Sequence, residues 1–129
     1  MEQEVLENIL SKLDELGWLF SSVKFYKKED KLQLIGKGGF ATVYDMVDCD
    51  NSEIHYALKV LQVNNKGITL KKCQEAFELQ KTLGDSSDYI VKSLDSKTLQ
   101  ISFDEEMNIQ EVYEDIQEEK GFILHFILM

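Results

Sequence analysis

The sequence contains no proline, only two cysteines and two histidines, and far fewer basic than acidic side chains. Cys49 and Cys73 lack the CxxC spacing of zinc sites, and they suggest no disulfide framework. The absence of proline points to no particular function. No apolar run reaches the length of a membrane span, and the acidic first residues do not resemble a secretory signal. We therefore expect a cytoplasmic protein with reduced thiols.

The charge balance argues against two classes of partner. Lys and Arg total 14 and Asp and Glu total 24, so the formal net charge is −10. Surfaces that bind nucleic acids or adhere to anionic membranes are usually basic, so we expect neither partner. The length of 129 residues, of which 43 % are hydrophobic, allows one compact domain with a core.

The N-terminal segment has the pattern of an amphipathic helix. Residues 2–16 carry leucines and isoleucine at helical spacing, and Gly17 is a suitable C-terminal stop. The spaced positions are Leu6, Ile9, Leu10, Leu13 and Leu16. We interpret this segment as a packing helix, with partner binding as the alternative. Residues 1–30 are taken as helix and linker, and residues 31–129 as the main domain.

The main domain alternates strand patterns with helical ones. Strands are predicted at residues 31–36, 41–47, 54–63, 99–103 and 122–129. A helix is predicted over residues 68–83, from an apolar stripe that ends before Gly84. Residues 104–120 hold eight acidic side chains and one lysine. Because Ile109, Val112, Tyr113 and Ile116 keep helical spacing, this segment predicts an acidic helix inserted between two strands. The insert would be a solvated spacer or a docking surface for basic partners.

The glycine-rich motif from Gly36 to Tyr44 carries the functional hypothesis. It is not a Walker loop, because Lys37 is followed by Gly38 rather than by Ser or Thr. It is not a Rossmann turn, because a strand rather than a helix follows the glycines. A glycine-rich β-hairpin remains, and its backbone can approach phosphate groups closely because no Cβ intervenes.

The hairpin and the strand after it together resemble the N-terminal lobe of eukaryotic-type protein kinases. The family's loop reads GxGxxGxV and is followed by a strand that bears V-A-I-K. The matching positions are Gly36, Gly38, Phe40, Val43 and Tyr56-Ala57-Leu58-Lys59. Ala41 replaces the third glycine. The joint match is far more specific than any of its parts.

The resemblance implies a fold and a set of ATP contacts. The fold would be α+β, a five-stranded antiparallel sheet with a C-type helix, extended by the N-terminal helix and the acidic helical insert. Lys59 would pair the α- and β-phosphates and be held by Glu75, with Glu78 as the second choice. The residues around ATP would be Ile35, Gly36, Lys37, Gly38, Gly39, Phe40, Ala41, Val43, Ala57, Lys59 and Met129. Met129 would lie at the gatekeeper or hinge, where the lobe ends.

The catalytic half of a kinase is absent from the sequence. No H-R-D-x-x-x-x-N and no D-F-G motif occurs, so magnesium and the protein substrate would be held by the C-lobe of a full-length parent. We expect a fragment of an ATP-dependent kinase that is serine/threonine-specific, with tyrosine specificity as the alternative because the residues that decide it belong to the C-lobe. The alternatives are a natural single-lobe regulatory module and a pseudokinase-derived interaction domain. The surface that would face a C-lobe also predicts a homodimer.

Overall fold

The computed structural model describes residues 2–38, 41–63, 94–116 and 121–129. These residues form one helix and nine strands. In chain order they are α1 (Gln3–Glu15), β1 (Val23–Phe25), β2 (Lys27–Lys28), β3 (Lys31–Leu32), β4 (Leu34–Lys37), β5 (Ala41–Asp48), β6 (His55–Val63), β7 (Asp95–Phe103), β8 (Ile109–Tyr113) and β9 (Phe122–Leu128). The predicted mixture of a helix with an antiparallel sheet is confirmed.

Seven of the described strands form one antiparallel sheet. Its order is β1-β5-β6-β9-β7-β8. β4 pairs with the first half of β5, along the same edge where β1 pairs with the last residues of β5. β2 and β3 form a separate two-stranded hairpin. The prediction of five strands is wrong, because short β1 and β8 had been assigned to a linker and to a helix. The predicted strand over residues 31–36 is also divided, since Gln33 separates β3 from β4.

One face of the sheet packs against α1, and we call it the helix face. The helix contributes Ile9, Leu10 and Leu13 to the main core, as its spacing predicts. The sheet side of this core consists of Tyr44, Met46, Leu58, Val60, Leu99, Ile101, Leu124, Phe126 and Leu128. The helix ends where expected, because Gly17 takes a positive φ of 82° that a residue with a Cβ adopts reluctantly.

The segment after α1 is attached to the sheet by a lysine on the helix face. The Lys97 amine donates to the backbone oxygen of Trp18 at 2.9 Å and lies 5.7 Å from the Phe20 ring centroid. β1 then pairs with the end of β5. The N-terminal segment therefore shares its core with the rest of the domain, and a boundary near residue 30 stays a prediction.

The predicted acidic helix is wrong, because the described part of residues 104–120 forms a turn and a strand. β7 and β8 make a hairpin in which Ser102 pairs with Glu111 but Phe103 pairs with Ile109, so the register shifts at a bulge. The bulge places Ile109 and Val112, three residues apart, against the same core. In a regular strand these two side chains would point to opposite faces. The bulge thus lets a strand use an apolar spacing of three residues, which in the sequence looks like the spacing of a helix.

The turn of this hairpin is organised by Asp104. Its carboxylate accepts hydrogen bonds from the backbone N–H groups of Glu106 and Asn108, both at 2.9 Å. Its own backbone N–H donates to the oxygen of Asn108 at 2.9 Å. Met107, inside this turn, has a φ of 65°.

The remaining predicted elements divide into confirmed strands and segments outside the described residues. The strands expected at 41–47, 54–63, 99–103 and 122–129 correspond to β5, β6, β7 and β9. The helix predicted over residues 68–83 lies outside the described residues.

Candidate functional site

The glycine-rich segment forms a β-hairpin, as predicted. β4 and β5 pair with Gly36 opposite Val43, and the Gly38 N–H donates to the Ala41 oxygen at 2.8 Å. Gly39 and Phe40 lie outside the described residues. The hairpin therefore places Gly36 beside Val43 and Gly38 beside Ala41.

The lysine strand lies directly beside this hairpin. Val43 of β5 is opposite Lys59 of β6. Two residues before Lys59 on β6, Ala57 is opposite Met129. The backbones of Ala57 and Met129 exchange two hydrogen bonds, at 2.9 and 2.8 Å. Directly opposed residues of an antiparallel sheet share a face, and so do residues two apart on one strand. Gly36, Val43, Ala57, Lys59 and Met129 therefore lie on one surface, opposite the helix face, and we call it the lysine face.

Two predicted ATP contacts do not join this surface in the same way. Lys37 is opposite Thr42, whose neighbours on the strand place it on the helix face. Ile35 lies at the irregularity between Leu34 and Gly36, with 59 % of its surface exposed. Ala41 is opposite Leu61 and does lie on the lysine face.

The predicted partner of Lys59 stays a prediction. Both candidate glutamates, Glu75 and Glu78, lie outside the described residues. No carboxylate in the described part of the chain forms an ion pair with the Lys59 amine.

The two described glycines of the loop are not required by the local fold. A Cβ on Gly36 would lie 3.7 Å from the Val43 Cβ, and one on Gly38 would lie 3.9 Å from the Ala41 oxygen. Both distances are ordinary van der Waals contacts, and neither glycine has the positive φ found at Gly17. Conformation and packing therefore both tolerate alanine here, which leaves close approach of a ligand as a reason for glycine.

The lysine face also carries a buried histidine. His125 of β9 is opposite Leu61 of β6. Only 2 % of the surface of His125 is exposed. Its Nδ1 lies 2.7 Å from the Thr98 Oγ1, whereas its Nε2 has no hydrogen-bond partner in the described structure. Burial lowers the pKa of His125 to about 4, so the ring is neutral at pH 7. Nothing in the sequence indicated this hydrogen bond.

A second polar pair on this face was missed by the sequence reasoning. His55 Nδ1 lies 2.8 Å from Asp45 Oδ1, and the Tyr26 ring packs edge-on against the imidazole. Asp45 is opposite Ala57, so the pair lies beside the position predicted for the adenine. The sequence did place the two residues on neighbouring predicted strands. Without the pairing register of those strands, this placement does not show that the side chains meet.

Known proteins give no further guidance on function. Comparisons with protein-family models, with curated proteins and with solved structures found no match. Within the described ranges, no group of three or more His, Cys, Asp or Glu side chains could hold a metal ion. None of the helices found there is long and apolar enough to cross a membrane. The lysine face is therefore the feature from which a function can be inferred.

Proposed function

We propose that this chain is the ATP-binding N-terminal lobe of a serine/threonine-specific protein kinase. One observation carries the proposal. Strand register collects a lysine, a valine, an alanine and the first loop glycine on a single sheet face, and the sequence resemblance assigns each of them to ATP. Unrelated packing positions would have no reason to coincide with the motif in this way.

Each residue then has a chemical task. The Lys59 ammonium would neutralise phosphate charge, and the backbone N–H groups of the glycine hairpin would lie close to the phosphate oxygens. Val43 and Ala57 would supply an apolar surface for the base. Met129 is held against Ala57 by two backbone hydrogen bonds, which fixes the end of β9 beside that surface. Phosphoryl transfer belongs to a full-length parent, whose C-lobe would hold magnesium and the protein substrate.

Replacing Lys59 with alanine should weaken ATP binding at least about tenfold, because a charge-assisted contact to phosphate is lost. A lone lobe offers only part of a cleft, so affinity should be low and ATP should be added at high concentration. Backbone amide shifts in NMR spectra can measure such weak binding. The wild-type shifts should cluster on β4, β5 and β6.

The control is Lys28→Ala, an exposed lysine in the separate β2–β3 hairpin. It removes the same charge and should leave ATP binding unchanged. Equal losses in the two variants would mean that ATP responds only to net charge, and the proposal would be wrong. If the wild-type chain binds no ATP, the result favours the alternative of a pseudokinase-derived interaction domain that does not bind nucleotide.

A second change tests the glycine hairpin. Gly36→Ala should leave the free energy of unfolding unchanged or raise it by about 0.4–1 kcal/mol, because the site accommodates a methyl group without strain. The same change should weaken ATP binding, since the methyl group would occupy space beside Val43. Urea unfolding and the ATP titration measure the two effects separately. A variant that loses stability instead would show that glycine serves the fold.

A further inference from the structure

A groove of about 610 Å³ lies between α1 and the turn that joins β7 to β8. The helix contributes one stripe that includes Val5, Ile9 and Lys12, and the hairpin contributes Met107 and Ile109. The groove belongs to the helix side of the sheet, so it is separate from the lysine face. A ligand bound here would leave the proposed ATP site open.

The walls of the groove expose apolar side chains to solvent. Met107 is 62 % exposed and Val5 is 37 % exposed. Leu16, one helical turn beyond Lys12 and outside the groove lining, is 52 % exposed. Exposed apolar groups that line a groove are typical of interaction surfaces rather than of the general surface.

Met107 is held in an unusual backbone conformation. Its φ of 65° belongs to the left-handed region, which glycine and asparagine adopt more readily than methionine. The Asp104 hydrogen bonds to both flanking backbone N–H groups fix this turn. The fold thus holds a flexible apolar side chain at the edge of the groove, and methionine is common at surfaces that bind peptides.

Exposed acidic residues adjoin the apolar walls in the sequence. Glu2 and Glu4 precede Val5, and Glu105 and Glu106 precede Met107; all four are exposed. Neither glutamate of the turn forms an ion pair within the described residues. Lys12, the basic residue of the lining, is already paired with Glu15 at 3.8 Å. The groove lining therefore combines apolar side chains with Asn8, Asn108 and the paired Lys12, and exposed acidic residues adjoin it in the sequence.

We propose that this groove binds an amphipathic segment of a partner protein, with apolar side chains flanked by lysine or arginine. The apolar side chains would enter between Val5 and Met107, and the basic groups would meet the bordering carboxylates. A second copy of this chain would bring like charge against like charge, because the net charge is −10. This inference goes beyond ATP binding and does not depend on it.

The test uses the full 129-residue chain and a short synthetic helical peptide of leucine and lysine. A counterpart peptide has glutamate in place of lysine. Fluorescence anisotropy should show binding of the lysine peptide only. Met107→Gly should weaken binding about tenfold, because a buried apolar contact is lost. The thermal midpoint of this variant should be equal or higher, since glycine suits the left-handed position.

Matched variants at the β5–β6 turn serve as controls. Ile54 is 44 % exposed, and Ile54→Ala should leave the affinity unchanged. Glu105→Gln with Glu106→Gln should weaken binding and reduce its salt dependence, whereas Asp50→Asn with Glu53→Gln removes equal charge without effect.

Three results would overturn the proposal. They are the absence of lysine-peptide binding, equal losses in the two double variants, and full affinity in Met107→Gly. Should Met107→Gly fail to fold, Val5→Ser reports on the opposite wall of the groove and decides in its place.

Discussion

Replacing Phe126 with alanine should lower the free energy of unfolding by about 3–5 kcal/mol, the usual cost of emptying a core aromatic position. Phe126 is fully buried on β9, between β6 and β7, and its ring faces the core that the sheet shares with α1. Because domains of this size are stable by only about 5–15 kcal/mol, this loss removes a large share of the free energy of unfolding. Urea denaturation followed by circular dichroism measures the loss.

The control is Phe122→Ala, which removes the same side chain from the same strand. Phe122 is only half-buried and packs edge-on against Phe103 at the rim of the core, with 5.5 Å between ring centroids. It should cost clearly less than Phe126→Ala. Comparable losses at the two positions would contradict the placement of β9 at the centre of the sheet.

Stability should fall as the pH is lowered from about 6.5 to about 4, because His125 resists protonation in the folded state. Burial lowers the pKa of His125 from 6.5 to about 4, so the unfolded chain takes up the proton first. The stability that comes from burying a neutral His125 is therefore fully present above pH 6.5. It is lost as the pH falls toward about 4, the pKa of His125 in the folded state. At most about 3–4 kcal/mol is involved, since each pKa unit corresponds to about 1.4 kcal/mol.

The carboxylates titrate over part of the same range, so the measurement must isolate the histidine. His125→Asn keeps a hydrogen-bonding group beside Thr98 but does not titrate there. Urea unfolding of wild type and variant at several pH values gives the difference in free energy of unfolding. That difference should change with pH between 4 and 6.5 and be constant above this range. A constant difference throughout would contradict the burial of His125.

Most of the regular elements could be predicted because their buried side chains recur at the spacing of a helix or as the buried run of a central strand. α1 presents Leu10 and Leu13 to one core, and β9, at the centre of the sheet, is buried on both faces from Ile123 to Leu128. Local apolar spacing was enough for these elements. The class of the fold followed from them.

The errors arose where pairing rather than periodicity decides the structure. Val23–Phe25 is too short to show alternation, and it becomes a strand only because β5 offers an edge. The bulge in the β7–β8 hairpin interrupts the alternation of apolar residues along β8, and the resulting spacing in the sequence resembles that of a helix. No local pattern distinguishes these cases, because the deciding contacts come from distant parts of the chain.

The candidate site shows the same division. The motif predicted that Val43 and Lys59 belong together, and the strand register places them opposite each other. The contact between Thr98 and His125 could not be predicted, since it depends on the register of β7 against β9. Lys37 was assigned to the same site by the resemblance to the kinase loop, yet alternation along the strand puts it on the other face.

The central position of β9 has a consequence for the order of folding. The hairpins β4–β5–β6 and β7–β8 join neighbouring segments and can form early, when little chain has to be closed. Their union requires β9, which begins at Phe122 and must pair with β6, which ends at Val63. Pairings between such distant segments slow folding. A growing chain would therefore hold two unjoined half-sheets until its latest described strand is inserted between them.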